Sequence, residues 1–182
     1  MESMVINEKF FKDKTILITG HTGFKGTWLC KILTMFGANV IGYALAPSKQ
    51  GSILYNKSKI ENQITSIIGD VRNYVKLKEV FDKYSPEIVM HLAAQPIVLE
   101  SYKNPVETYS INVMGTVNIL EWIRNTNCVK SFLNVTTDKV YENKEWVWGY
   151  RENEPLDGFD PYSNSKSCSE LVTHSYKNSF FS

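Results

Sequence analysis

A chain of 182 residues has the length of one ordinary domain, enough to bury roughly 70% of its unfolded surface. With 43% hydrophobic and 21% charged residues, disordered and fibrous classes are excluded. Twenty basic side chains against nineteen acidic ones give a formal charge of +1, which argues against a nucleic-acid binder or a polybasic membrane-surface protein. Cys30, Cys128 and Cys168 are odd in number and lack metal-ligand spacing, so free thiols in a reducing cytoplasm, with no metal site, are expected. No apolar run reaches about 18 residues, and the polar start (Glu2, Asn7, Glu8, Lys9) lacks the cationic and apolar regions of a signal peptide.

Thr15–Thr19 is a β-branched run ending at Gly20, the pattern of a strand buried on both faces. Trp28, Leu29, Ile32, Leu33 and Phe36 recur at helical spacing over 24–36, and Gly37 stops that helix. Residues 39–45 read as a second strand, 64–69 as a third, 73–84 as a helix and 87–94 as a fourth strand. A long helix is expected over 105–124, with Val106, Tyr109, Val113, Val117, Leu120 and Ile123 on its buried stripe. Residues 131–136 form a fifth strand. A last helix opens at Pro161, whose fixed φ and missing donor suit a first turn, and runs to the chain end. The stretch 141–160 has no clear period but carries Trp146, Trp148, Tyr150 and Phe159; it reads as a binding loop or as rings packed on the sheet edge.

Strands alternating with helices predict an α/β fold: a Rossmann-type, doubly wound parallel sheet in three layers, with ligands at the carboxyl ends of the strands. Such folds usually have six or more strands, so a count of five makes the chain look truncated at its C-terminus.

Gly20-His21-Thr22-Gly23-Phe24-Lys25-Gly26 joins the first strand to the first helix. Gly20 suits the tight turn, Gly23 the approach of a pyrophosphate and Gly26 close helix–strand packing, so the loop is a candidate dinucleotide cradle. Its GxxGxxG spacing is that of short-chain rather than classical dehydrogenases. The acidic residue usually found near the adenosine ribose is missing. Strand two ends Gly42-Tyr43-Ala44-Leu45-Ala46-Pro47, so this position does not separate NAD from NADP, and Ser48 and Lys49 could favour a 2′-phosphate. Asp70 and Val71 are placed for an adenine contact, or Asp70 is a turn residue.

Three Tyr-x-x-x-Lys pairs occur: Tyr55/Lys59, Tyr74/Lys78 and Tyr162/Lys166. Only the third lies on the helix after strand five, and its side chains share a helix face. An ammonium beside a phenol favours the phenolate, so Tyr162 with Lys166 is the candidate acid–base pair. Thr136-Thr137-Asp138-Lys139 closes strand five. A hydroxyl there could bind a substrate oxygen with Tyr162, Asp138 could be a general acid and Lys139, if desolvated, a base; otherwise Asp138 and Lys139 are a turn ion pair. His91 is expected in the core and His174 at the surface.

GHTGFKGTWL at 20–29, HLAAQP at 91–96, TTDKVYENKEWVWGYRE at 136–152 and DPYSNSK at 160–166 resemble the extended short-chain dehydrogenase/reductase family. Within it, the chain resembles the nucleotide-sugar 4,6-dehydratases and particularly the branch acting on CDP-glucose; related dTDP- and GDP-sugar dehydratases carry Glu where Lys139 stands. The resemblance implies NAD as cofactor, held by Gly20, His21, Gly23, Phe24, Lys25, Gly26, Asp70, Val71, Leu92, Ala93, Ala94, Tyr162 and Lys166. It implies that Tyr162 takes the proton of the sugar 4-hydroxyl, Thr137 holds that oxygen, Lys139 removes the C5 proton and Asp138 protonates the departing 6-hydroxyl. Asn112 resembles the family's fourth catalytic-frame residue, or is a packing amide. Leu99-Glu100 stands where an arginine-containing stretch is expected. The family's C-terminal region, which grips the nucleotide sugar, is not found in residues 1–182, and members pair through helices equivalent to 105–124 and 161–180. An epimerase or reductase on the same fold, or a non-catalytic dimerisation module, are the rival readings.

Overall fold

A computed structural model describes residues 8–48 and 52–181. A short α1 (Glu8–Phe11) precedes β1 (Thr15–Thr19), α2 (Phe24–Met35), β2 (Asn39–Ala44), α3 (Ile53–Ser58), β3 (Thr65–Ile68), α4 (Tyr74–Tyr84) and β4 (Ile88–His91). Next come α5 (Val98–Lys103), α6 (Pro105–Tyr109), a π-helical turn (Ser110–Met114), α7 (Gly115–Arg124), β5 (Ser131–Asn134) and α8 (Pro161–Phe180). The five strands form one parallel sheet in the order β3-β2-β1-β4-β5. The order reverses between β1 and β4, which opens a crevice beyond the strand ends.

β1 sits at the centre and shows why its sequence is apolar throughout. Ile16 and Ile18 pack on one side with Cys30 and Leu33 of α2 and with Ile60; Leu17 packs on the other with Leu77 and Phe81 of α4 and Ile119 of α7. Two separate cores therefore sandwich the sheet. Helix ends follow local chemistry. The N–H groups of Gly37 and Ala38 bond back to the carbonyls of Thr34 and Leu33, closing α2 where a glycine stop is expected. Asn73 caps α4 by accepting the Lys76 N–H, and Asp160 caps α8 by accepting the Ser163 N–H, each at 3.0 Å.

The sequence leaves α3, α5 and a short 3₁₀ turn at Ile60–Asn62 unannounced, and the strands expected over 39–45, 64–69, 87–94 and 131–136 are shorter. The largest correction concerns the helix over 105–124. Of the expected stripe Leu120 and Ile123 are buried, but Val106 is 82% exposed, and the buried side before them is Thr108, Asn112, Gly115, Thr116 and Ile119. The π turn inserts a residue into the helical count, so one 3.6-residue stripe cannot run through it. The buried side faces α8, whose own inner face is Ser163, Ser165, Lys166, Ser167 and Ser169. A search for apolar stripes misses a contact built from small polar side chains. The loop over 141–160 makes one antiparallel bridge, Tyr141 to Leu156, and stacks Tyr141 on Tyr150 at 5.4 Å, with Trp146 beside Tyr150 at 5.7 Å; Trp148 and Phe159 are exposed. Among the described residues, no helix is long and apolar enough to cross a membrane.

Candidate functional site

The glycine turn is shaped by contacts that admit no side chain. Gly20 has φ +77°, and a Cβ there would come within 2.8 Å of the Ala93 nitrogen; one on Gly26 would lie 2.2 Å from the Gly20 carbonyl oxygen. Gly20 donates to the Tyr43 carbonyl and Gly23 to that of Gly20, while the Thr27 hydroxyl reaches the carbonyls of His21 and Gly23. The turn is thus locked between β1, β2 and the start of α2, with the helix N-terminus facing the crevice.

That crevice holds a cavity of about 480 Å³. Gly20, Thr22 and Gly23 to Gly26 form its floor, Ala44, Leu45 and Gly69 to Val71 one end, and Leu92 to Ala94 with Pro96 a wall. Val135, Thr136, Tyr162 and Lys166 close the opposite end. The phosphate cradle and the phenol–ammonium pair, about 140 residues apart in sequence, therefore share one cleft. The other two Tyr-x-x-x-Lys pairs lie elsewhere. Lys59 has already left the helix of Tyr55, with φ 49°, and Tyr74 packs on Trp122 at 4.4 Å while Lys78 pairs with Asp82 at 2.5 Å.

The electrostatics of the pair differ from expectation. The Tyr162 phenol is raised above the ordinary tyrosine value, first by burial; a hydrogen bond with Thr137 works against this, and the charges of Asp160 and Asp138 add to it. Lys166 is itself buried, and burial pushes it down to about 8, against an upward pull from Glu170 and with a further downward push from Lys25. Thr137 is thus beside the phenol, as read from the sequence, although it does not line the cavity. Asp138 and Lys139 lie on a 3₁₀ turn at Asp138–Val140, both exposed and outside the cavity lining. They form no ion pair among the described residues; Asp138 instead accepts the Thr137 hydroxyl at 3.0 Å. The desolvation on which a basic Lys139 depends is therefore not seen.

At the adenosine end, Asp70 combines both readings. It lines the cleft, yet it is also a turn residue gripped by Arg72 at 2.6 Å, and that guanidinium holds its carboxyl below the usual range. Its carbonyl accepts the Tyr43 hydroxyl at 2.8 Å. Ala44 and Leu45 occupy the ground where a ribose carboxylate would stand; Lys49 lies outside the described residues. His21 requires correction. It is fully buried and lines no part of the cavity. Its ring lies against Gly42, where a Cβ would approach within 2.4 Å, and Nε2 meets Ser66 Oγ at 2.7 Å. Burial pushes its pKa down to about 4, so a neutral core imidazole stands where a phosphate contact was expected.

Behind the cleft runs a buried polar network. Thr19 Oγ1 accepts the Leu92 and Ala93 N–H groups, both at 3.1 Å, so its proton goes to His91 Nδ1 at 2.7 Å. His91 Nε2–H then faces Thr116 Oγ1 at 3.3 Å, and Thr116 meets Ser169 of α8 at 2.8 Å. Asn112, inside the π turn, accepts the Gln95 N–H at 2.8 Å and donates to the Gln95 carbonyl at 3.1 Å and to Ser165 Oγ at 2.9 Å. Ser165 in turn donates to the Tyr162 carbonyl at 2.6 Å. Asn112 thus ties the cleft wall to the turn of α8 that carries the phenol. His91 is in the core and His174 at the surface, as read from the sequence. Sequence reasoning passed over Glu170 on α8, which accepts the Thr136 hydroxyl. The signal available was its place one turn after Lys166.

A parallel sheet with its crevice at the β1/β4 reversal, and a glycine cradle and a tyrosine–lysine pair lining one cleft there, define a Rossmann-type fold of the short-chain kind, and comparison with known proteins gives the family. Residues 17–181 match the family model described as GDP-mannose 4,6 dehydratase, and the chain belongs to that family. It is 51% identical over 178 residues to CDP-glucose 4,6-dehydratase of Salmonella typhimurium, covering 97% of this chain and 49% of that protein. Among solved structures it resembles UDP-glucuronic acid 4-epimerase from Bacillus cereus, in complex with UDP-4-deoxy-4-fluoro-glucuronic acid and NAD. The TM-score there is 0.80 at 26% identity, covering 92% of this chain and 53% of the other. It also shares the fold of dTDP-glucose 4,6-dehydratase from Bacillus anthracis, in complex with NAD, with TM-score 0.75 at 24% identity, covering 92% and 51%. The chain spans about half the length of the relatives it matches.

Proposed function

We propose that this chain is the NAD-binding Rossmann domain (1–182) of a cytoplasmic nucleotide-sugar 4,6-dehydratase that converts CDP-glucose to CDP-4-keto-6-deoxyglucose, a step toward deoxysugars and polysaccharides. One observation carries the reading: the glycine cradle and Tyr162 line the same cleft. The residues fit the cofactor. Gly20 and Gly26 keep the turn closed up against its own backbone, which brings the start of α2 and its N–H groups to the cleft, where a pyrophosphate would sit. Ala44 and Leu45 offer apolar contact toward the adenosine, and Asp70 and Val71 close that end. When bound, NAD supplies a hydride acceptor and a positive charge beside the phenol.

In this reading Tyr162 takes the proton from the sugar 4-hydroxyl while Thr137 holds the oxygen; the ketone formed acidifies C5. Lys139 removes the C5 proton and Asp138 gives one to the departing 6-hydroxyl. Because both are exposed here, their desolvation is assigned to bound substrate and to the part of the relatives' length that this chain does not span. A homodimer through α6–α8 accords with the exposed apolar side chains Val106, Met114 and Leu171 on those helices.

Calorimetric titration of the chain with NAD tests the cofactor reading: saturable heat is expected, and no heat at millimolar NAD overturns it. Absorbance of the 4-keto-6-deoxy product in alkali tests the reaction. A 4-epimerase needs neither Asp138 nor Lys139 to expel a hydroxyl. An epimerised sugar without that chromophore would therefore decide for the epimerase.

A further inference from the structure

Lys166 is a buried ammonium, 3% exposed, at the end of the cleft where the phenol lies. Few groups surround it that carry or can carry charge. Lys25 reaches toward it from the glycine turn, His91 lies behind it in β4, Tyr162 is one turn before it on α8, and Glu170 is one turn after. Residues four apart on a helix project from the same face, so Glu170 and Lys166 point the same way. The Glu170 carboxylate also accepts the hydroxyl proton of Thr136, which lines the cleft opposite the glycine turn. Glu170 itself lines no part of the cavity.

We propose that Glu170 is a positioning residue of this cleft: it fixes the Thr136 hydroxyl in the wall and supplies the negative charge that keeps buried Lys166 protonated at neutral pH. Three observations converge on it. The helix spacing puts carboxylate and ammonium on one face; the hydrogen bond orients the carboxylate toward the cleft wall; and Lys25, which lines the same cleft, is repulsive to Lys166. Burial alone drives a lysine toward neutrality, and an opposite charge within a few ångströms opposes this. Lys166 reflects that balance, lying at about 8 rather than at its ordinary 10.5. Without Glu170, burial and Lys25 act together. Lys166 would then be largely neutral at pH 7.5, and the cleft would lose the cation beside the phenol.

The inference rests on the cofactor reading only for its consequence. The charge of Lys166 can be read with no cofactor present. In the folded chain, competitive acetylation with acetic anhydride between pH 6 and pH 10, followed by mass spectrometry of the Lys166 peptide, gives the lysine's titration midpoint. Glu170→Gln is expected to lower that midpoint by about one pH unit. Glu170→Asp, which keeps the charge, is expected to stay within a few tenths of wild type. Thr136→Val removes the hydrogen bond but not the carboxylate, and its midpoint is expected to remain near that of wild type. An unchanged midpoint in Glu170→Gln overturns the proposal, as does an equal shift in Glu170→Asp. If the glutamine variant does not fold, Glu170→Ser, which leaves room for water, is measured in its place by the same criterion. NAD titrations across the same pH range separate the two readings. If wild type binds no NAD, the cofactor assignment fails while the lysine midpoints still decide the role of Glu170. If it binds, the acid shift in midpoint should be matched by an equal shift in the pH dependence of affinity.

Discussion

Two buried histidines should make this protein acid-labile in a window where its carboxylates do not yet titrate. Burial pushes His21 down to about 4 and His91 to about 3, from an ordinary value of 6.5. Because both folded values lie below the unfolded value, the unfolded chain takes up protons first as pH falls. Stability is therefore fully present above about pH 6.5 and is lost as pH drops toward 4 and 3. Between pH 7 and pH 5 each histidine should remove roughly 1.8 kcal/mol, about 3.5 kcal/mol together, from a net stability on the order of 5–15 kcal/mol. Urea unfolding followed by circular dichroism at half-unit pH steps measures this directly. His91→Gln and His21→Asn should each lower the stability at pH 7 and halve the loss between pH 7 and pH 5. A wild-type loss below about 1 kcal/mol over that interval would refute the argument that both imidazoles are held neutral by burial.

Gly26→Ala should be severe, because the added Cβ would lie 2.2 Å from the Gly20 carbonyl oxygen. A stability loss of about 2 kcal/mol in urea and the disappearance of NAD binding heat are expected. Asn112→Ala takes the partner from both the N–H and the carbonyl of part-buried Gln95 and should cost about 2 kcal/mol, seen as an earlier urea midpoint. Leu45→Asp places a carboxylate where the ribose end of the cleft is apolar; it should shift preference from NADP toward NAD by about tenfold in parallel calorimetric titrations.

The parts of this molecule that were legible in the sequence are those governed by local rules. Strand β1 could be read because a central strand must be apolar on both faces, and the cradle because Gly20 and Gly26 stand where a Cβ would strike backbone. Tyr162/Lys166 could be chosen from three equal patterns by its place after the last strand, and of the three pairs it is the one that lines the cleft. What remained hidden depended on contacts between distant segments. The neutrality of His21 comes from Gly42 and Ser66, which sit on other strands. The expected lowering of Tyr162 failed because pattern reading counts the nearby ammonium but not the burial of both groups. The buried side of the helix pair over 105–124 was misread because its π turn shifts the count and its contact residues are threonine, asparagine and glycine.

The serine-lined back of α8 has a consequence for how accurately the cleft is assembled. A greasy helix contact tolerates slippage by a fraction of a turn, since one methyl group serves as well as another. Here Ser165, Ser167 and Ser169 each meet a named partner on another segment, so rotating the helix by a single residue would break those three contacts at once. The azimuth of the phenol above the cradle is therefore keyed from behind, by groups that no ligand ever touches.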